Sequence, residues 1–79
     1  MVTPDSIRHN IEDKLPCELV EVSGDGHHFE ALVVSAAFQG KTPVQRHQLV
    51  YAALGDRMRE EIHALSMRTL TPEQWQAGR

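Results

Sequence analysis

Apolar residues recur with two different spacings along the first half of the 79-residue chain. Ile7 and Ile11 are four residues apart, which places them on the same face of a helix. Residues 17–23 and 29–35 are instead rich in β-branched side chains, as is typical of strands. Gly24-Asp25-Gly26 lies between these two segments and is a turn signal. The pattern predicts a helix followed by a β-hairpin.

Three Thr-Pro pairs indicate helix starts, because threonine caps a helix N-terminus and proline suits its first position. In two of these pairs a glutamine follows three residues after the threonine, which allows side chain and backbone to cap each other. Pro16 ends the first helix. The predicted helices are residues 4–15, Pro43–Leu54 and Pro72–Ala77, and Gly55-Asp56 indicates a further short turn over residues 57–60.

Residues 62–70 are predicted to form a third strand, with His63 and Leu65 on the same face. The run 31–34 is apolar on both faces, which is typical of a central strand. A strand that is reached through a helix usually lies parallel to the preceding strand. The order αββαβα therefore predicts a single α+β domain over residues 1–79, with helices on one face of a three-stranded mixed sheet.

Composition and charge narrow the function classes. The net charge of −3 gives no general attraction to nucleic acid or anionic lipid. Cys17 is the single cysteine, so no intramolecular disulfide can form, and we interpret it as a small buried apolar residue. The N-terminus lacks a signal-peptide pattern, and no apolar run is long enough to cross a membrane. We expect a cytoplasmic protein in a reducing compartment.

The common catalytic motifs are absent from the sequence. Gly40-Lys41-Thr42 is similar to the end of a phosphate-binding loop, but Ser35 occupies the position that needs a glycine. Neither a Gly-x-Ser-x-Gly elbow nor a His-Glu-x-x-His pair occurs, and the acidic residues are scattered. We therefore predict a protein that binds a partner rather than an enzyme.

Three polar residues near the start of the second helix are candidate phosphate contacts. Lys41, Arg46 and His47 could bind nucleic acid with help from the helix dipole. An ordinary polar helix surface explains these residues equally well. The Gly-x-x-Gly loop with which KH modules clamp RNA does not occur.

Histidine is the compositional oddity, with five among 79 residues. His27 and His28 lie where the hairpin turn meets the second strand, and His63 lies near the start of the third. If these strands are parallel, their starts share one end of the sheet, and His63 and the turn converge. Two imidazoles suit zinc, copper or iron but leave the ion short of ligands, which a partner would supply. A hydrogen-bonded surface residue is the alternative for each histidine taken singly.

Four segments together closely resemble the BolA family. They are residues 38–51, 23–29, 62–65 and 71–75, and they follow the family in order and spacing over nearly the whole chain. The Ser-Gly-Asp-Gly turn is similar to a short bacterial branch typified by IbaG, also called YrbA. The resemblance implies a class II KH-like topology for the αββαβα order.

The resemblance also implies a partner and a cofactor. BolA-like proteins pair with monothiol glutaredoxins and share a 2Fe-2S cluster that bridges the two chains. The family's C-terminal ligand histidine corresponds to His63. The second ligand comes from the hairpin loop, near Asp25 by ungapped matching, with His27 the nearest suitable donor. The glutaredoxin would add its active-site cysteine and a bound glutathione thiol, in an adaptor for iron–sulfur cluster assembly or trafficking, or for iron and stress regulation.

The sequence also allows two other interpretations of the function. BolA proteins are also described as DNA-binding transcriptional regulators, here through the helix-turn segment that begins at Gly40 and ends at Tyr51. The acidic net charge disfavours this reading. A structural interaction module without metal is the third reading, and a homodimer is not decided by the sequence.

Overall fold

The computed structural model describes residues 2–78 of the chain. The order of elements along these residues is a helix, a β-hairpin, two helices, a third strand and a final helix. Met1 and Arg79, the ends of the predicted domain, lie outside the described residues. The helices are α1 (Pro4–Lys14), α2 (Pro43–Leu54), α3 (Asp56–Glu60) and α4 (Pro72–Ala77), the strands are β1 (Cys17–Gly24), β2 (His28–Ser35) and β3 (Ala64–Leu70), and a 3-10 turn spans Ala36–Phe38.

Threonine caps fix the starts of three helices, as predicted. The hydroxyl of Thr42 accepts the backbone N–H of Gln45, and the Gln45 side chain accepts the N–H of Thr42 in return. The pair at the start of α4 repeats this arrangement. At α1 the hydroxyl of Ser6 takes the glutamine's part, a reciprocal cap that the glutamine pattern did not reveal. Helix α1 ends one residue earlier than predicted, because Leu15 precedes a proline and is extended.

The sheet has the order β1-β2-β3, with β2 in the centre. Strands β1 and β2 are antiparallel, and β2 and β3 are parallel. The predicted mixed sheet and the central position of the apolar run are therefore confirmed. The parallel register sets His28 opposite Ala64, so β2 and β3 start at the same end of the sheet.

Strand β3 begins at Ala64, and the prediction that it begins at residue 62 was wrong. The carbonyl of Arg57 accepts the backbone N–H groups of both Glu61 and Ile62, which holds the chain in the turn that ends α3. Ile62 therefore does not follow the alternation of the strand. Its side chain is buried in the core, whereas the neighbouring His63 is exposed.

Helices α1 and α2 pack on one face of the sheet. The central strand contributes its alternate residues Phe29, Ala31 and Val33 to this core, as the pleat requires. Cys17 packs half-buried at the edge of the core, and burial, together with the Glu12 carboxylate, raises the pKa of its thiol. Over residues 2–78, no helix is long and apolar enough to cross a membrane. The buried core consists of Val2, Ile7, Ile11, Val20, Phe29, Ala31, Val33, Phe38, Val50, Leu54 and Ile62.

Candidate functional site

Two histidines meet at the end of the sheet where β2 and β3 begin. The ring centroids of His27 and His63 are 5.5 Å apart, with an angle of 52° between the ring planes. The backbone N–H of Ala64 donates to the carbonyl of His27 at 3.2 Å. This bond ties the residue just before β2 to the first residue of β3. Both residues are exposed. The predicted convergence of His63 with the hairpin turn is confirmed, and we call these two residues the histidine pair.

Asp25 holds the turn that presents His27. Its Oδ1 accepts the backbone N–H groups of His27 and His28, each at 2.9 Å. These two bonds, with that from His28 the larger cause, hold the pKa of the Asp25 carboxyl below its usual range. Gly26 completes the turn with φ 101°, a conformation that favours glycine. The carboxylate therefore already has a structural partner on one of its oxygens.

His28 belongs to a different surface from the histidine pair. It is the first residue of β2 and is exposed. Successive side chains of a strand point to opposite faces, and the next residue, Phe29, points into the core. His28 therefore projects from the face of the sheet that α1 and α2 do not cover.

The histidine pair fits the geometry of two ligands on one ion. Two imidazoles that bind a tetrahedral ion through metal–nitrogen bonds of about 2.0–2.1 Å hold their ring centroids about 5 Å apart. The observed 5.5 Å is close to that separation. Within residues 2–78, however, no group of three or more His, Cys, Asp or Glu side chains is arranged to hold a metal ion. A metal bound here would need further ligands from another molecule.

The three candidate phosphate contacts lie around the start of α2, but they differ in their surroundings. The Nη1 of Arg46 donates to the carbonyl of Thr69 at 3.0 Å and to Oε1 of Gln74 at 2.8 Å, and its Nε donates to the carbonyl of Lys41 at 3.0 Å. The side chain of Lys41 is exposed, and His47 is half-buried. No local pattern in the sequence indicates that Arg46 joins these segments of the chain, because two of its partners are 23 and 28 residues away.

The sequence of residues 1–74 matches the family model for BolA, described as BolA-like protein. BolA-like protein 1 of Homo sapiens is 39% identical over 80 residues, which cover 89% of this chain and 58% of that protein. Protein BOLA2 of Arabidopsis thaliana is 42% identical over 80 residues, with 95% and 85% covered. The DNA-binding transcriptional regulator BolA of Haemophilus influenzae is 43% identical over 54 residues, with 68% and 52% covered. The chain thus spans less than two thirds of the human relative's length, and assignment to the IbaG branch stays a prediction.

Solved structures share the fold. A BolA protein homologue from Coxiella burnetii has a TM-score of 0.87 at 47% identity, covering 96% of this chain and 99% of that one. The BolA domain of SufE1 from Arabidopsis thaliana has a TM-score of 0.80 at 35% identity, with 89% and 92% covered. Yeast Fra2 has a TM-score of 0.78 at 35% identity, with 94% and 84% covered. These matches confirm the α+β fold, and together with the family model they show that the chain belongs to the BolA-like family.

Proposed function

We propose that this chain is a non-catalytic adaptor that supplies His63 and His27 to a 2Fe-2S cluster shared with a monothiol glutaredoxin and its bound glutathione. The observation that carries the proposal is the exposed histidine pair, with 5.5 Å between ring centroids. Membership of the BolA-like family supports it, because the resemblance implies this partner and this cluster. The adaptor would act in the cytoplasm, in cluster assembly or trafficking or in iron and stress regulation.

The donor chemistry of the histidine pair fits this role. A neutral imidazole offers one lone pair to a metal through one of its ring nitrogens. Both rings are exposed, so a partner that carries the remaining ligands can reach them. When bound, imidazole in place of thiolate raises the reduction potential of such a cluster. A ligand set divided between two molecules would also release the cluster when the molecules separate.

Asp25 is the alternative second ligand, and its contacts favour a positioning role. Its Oδ1 accepts two backbone N–H groups of the turn. A metal bound by this same oxygen would compete with these bonds, which hold the turn that presents His27. We therefore assign the ligand role to His27 and the positioning role to Asp25.

Co-expression with a monothiol glutaredoxin, followed by co-purification and visible absorption and circular dichroism spectra, tests the proposal. We expect a coloured complex with the wild-type chain and no colour in the chain purified alone. His63→Ala should keep the association but change the cluster spectrum and speed its loss, because alanine donates no lone pair. The fold should tolerate the change, since the ring is exposed and lies outside β3.

The controls separate a ligand from a surface residue. His27→Ala should change the spectrum as His63→Ala does, whereas His9→Ala, which removes an exposed histidine of α1, should leave it unchanged. A colourless wild-type complex, or a His63→Ala complex with the wild-type spectrum, would show that the ligand assignment is wrong.

A DNA-binding regulator is the second candidate function, and the name of the Haemophilus relative favours it. Lys41 is available on the surface at the start of α2. The guanidinium of Arg46, however, already donates to three acceptors of the protein itself. With a net charge of −3, the chain would neutralise few phosphates. The adaptor role therefore ranks first.

A further inference from the structure

Two imidazoles supply half of the four ligands that a tetrahedral ion needs. The two rings of the histidine pair are exposed at the spacing of two ligands on one ion. In the part of the chain that the structure describes, no third histidine, cysteine or carboxylate joins them to complete a metal site. Two ligand positions of a tetrahedral ion are therefore left open toward the outside of the molecule.

We propose that a second copy of this chain fills these two positions, so that one zinc ion joins two chains through four imidazoles. A two-fold axis through the ion would relate the chains, and each would contribute His27 and His63. This inference rests on the geometry of the histidine pair and not on the cluster function. Zinc is the ion of choice, because it prefers tetrahedral coordination and accepts neutral imidazole nitrogen.

The shape of the molecule lets two copies approach at this place. Residues 24–28 are all exposed and form the tip of the β1–β2 hairpin. Gly26 has no side chain, and an added Cβ there would lie in open space. The tip is therefore open to solvent at this residue, where a second chain can approach.

Charge makes the dimer dependent on the metal. Each chain has a net charge of −3, so two chains repel each other. Asp25 lies in the turn beside His27, and its carboxylate attracts a divalent cation. Without zinc the chains should therefore separate.

Titration of the full chain with zinc chloride tests the proposal, with no glutaredoxin present. Size-exclusion chromatography with light scattering should show the mass rising from the 8.9 kDa monomer to twice that value. Elemental analysis of the dimer peak should find one zinc per two chains, and EDTA should restore the monomer. In NMR spectra of the histidine side chains, zinc should shift the ring signals of His27 and His63 and leave those of His9 in place.

Variants give the deciding comparison. His27→Ala and His63→Ala should each lose the zinc-dependent dimer while keeping the wild-type far-UV circular dichroism spectrum, and His9→Ala should dimerise normally. A chain that stays monomeric at saturating zinc, one zinc bound per monomer, or a zinc-dependent dimer that persists in both variants would overturn the proposal. Because the assay contains no glutaredoxin or cluster, its failure would leave the adaptor function standing.

Discussion

Replacement of Arg46 with alanine should destabilise the fold rather than remove a nucleic-acid contact. The guanidinium joins three parts of the chain, because its acceptors lie in the loop before α2, in β3 and in α4. It also lies over the ring of Phe38, 6.0 Å from the centroid. Alanine would leave these acceptors to water or without a partner.

The size of the effect follows from these contacts. A hydrogen bond to a charged group contributes about 1.5–3 kcal/mol, and a cation–π contact contributes about 0.5–1 kcal/mol where it is exposed. Arg46 is half-buried, so water can replace part of what is lost. We expect the free energy of unfolding to fall by about 2–3 kcal/mol in total. In a domain of this size that corresponds to a melting temperature lower by roughly 10–20 °C.

Thermal unfolding followed by far-UV circular dichroism measures this difference. Arg46→Lys should be intermediate, because its single ammonium group cannot reproduce the fork of the guanidinium. Lys41→Ala is the matched control: it removes a neighbouring exposed cation and keeps the backbone carbonyl, so it should cost at most about 0.5 kcal/mol. If Arg46→Ala melts within about 2 °C of the wild type, the structural role is refuted and the guanidinium is free for phosphate.

Three further predictions concern the turn, the thiol and DNA. Asp25→Ala should weaken the nuclear Overhauser effects between the rings of His27 and His63. Asp25→Asn should keep them, because its amide oxygen still accepts the two N–H groups. An asparagine variant that behaves like the alanine variant would contradict this. Cys17 should react with iodoacetamide more slowly in the folded chain than in urea at the same pH, and equal alkylation rates would contradict this. The free energy of unfolding should fall as pH rises through the ordinary thiol range, because the unfolded chain loses this proton first. Binding to duplex DNA in fluorescence anisotropy should be weak and steeply salt-dependent, and nanomolar sequence-specific binding at physiological salt would disprove that.

Local chemistry made much of the fold predictable. The threonine caps of α2 and α4 depend on residues three apart, so the sequence alone identifies them. The central place of β2 follows in the same way from its apolar run, since Val33 and Val34 face opposite sides of the sheet and both are buried. Convergence of the histidine pair needed one topological rule, that the crossover connection makes β3 parallel to β2.

Features that depend on distant partners were not predictable. The start of β3 is set by the carbonyl of Arg57, which accepts from two successive residues, and no pattern in residues 62–70 indicates this. The role of Arg46 depends on Thr69 and Gln74, which only the folded chain brings close to it. The role of Asp25 was predictable in part. An aspartate in a glycine turn commonly accepts nearby backbone N–H groups, as Asp25 does, whereas the family resemblance implied a ligand at this position.

Because of its position, the histidine pair can change its ligand chemistry with little effect on the stability of the fold. Phe29 and Leu65 are paired in the ladder of β2 and β3 and pack in or against the core. The histidine pair lies two residues before them along the chain, just outside each strand. The backbone bond from Ala64 to the carbonyl of His27 fixes the spacing of the pair and needs neither imidazole. Either ring can therefore be exchanged for another ligand, or removed, at little cost to the fold. If the pair binds a metal as proposed, a change of ligand at these two positions would alter which metal centre the same scaffold accepts.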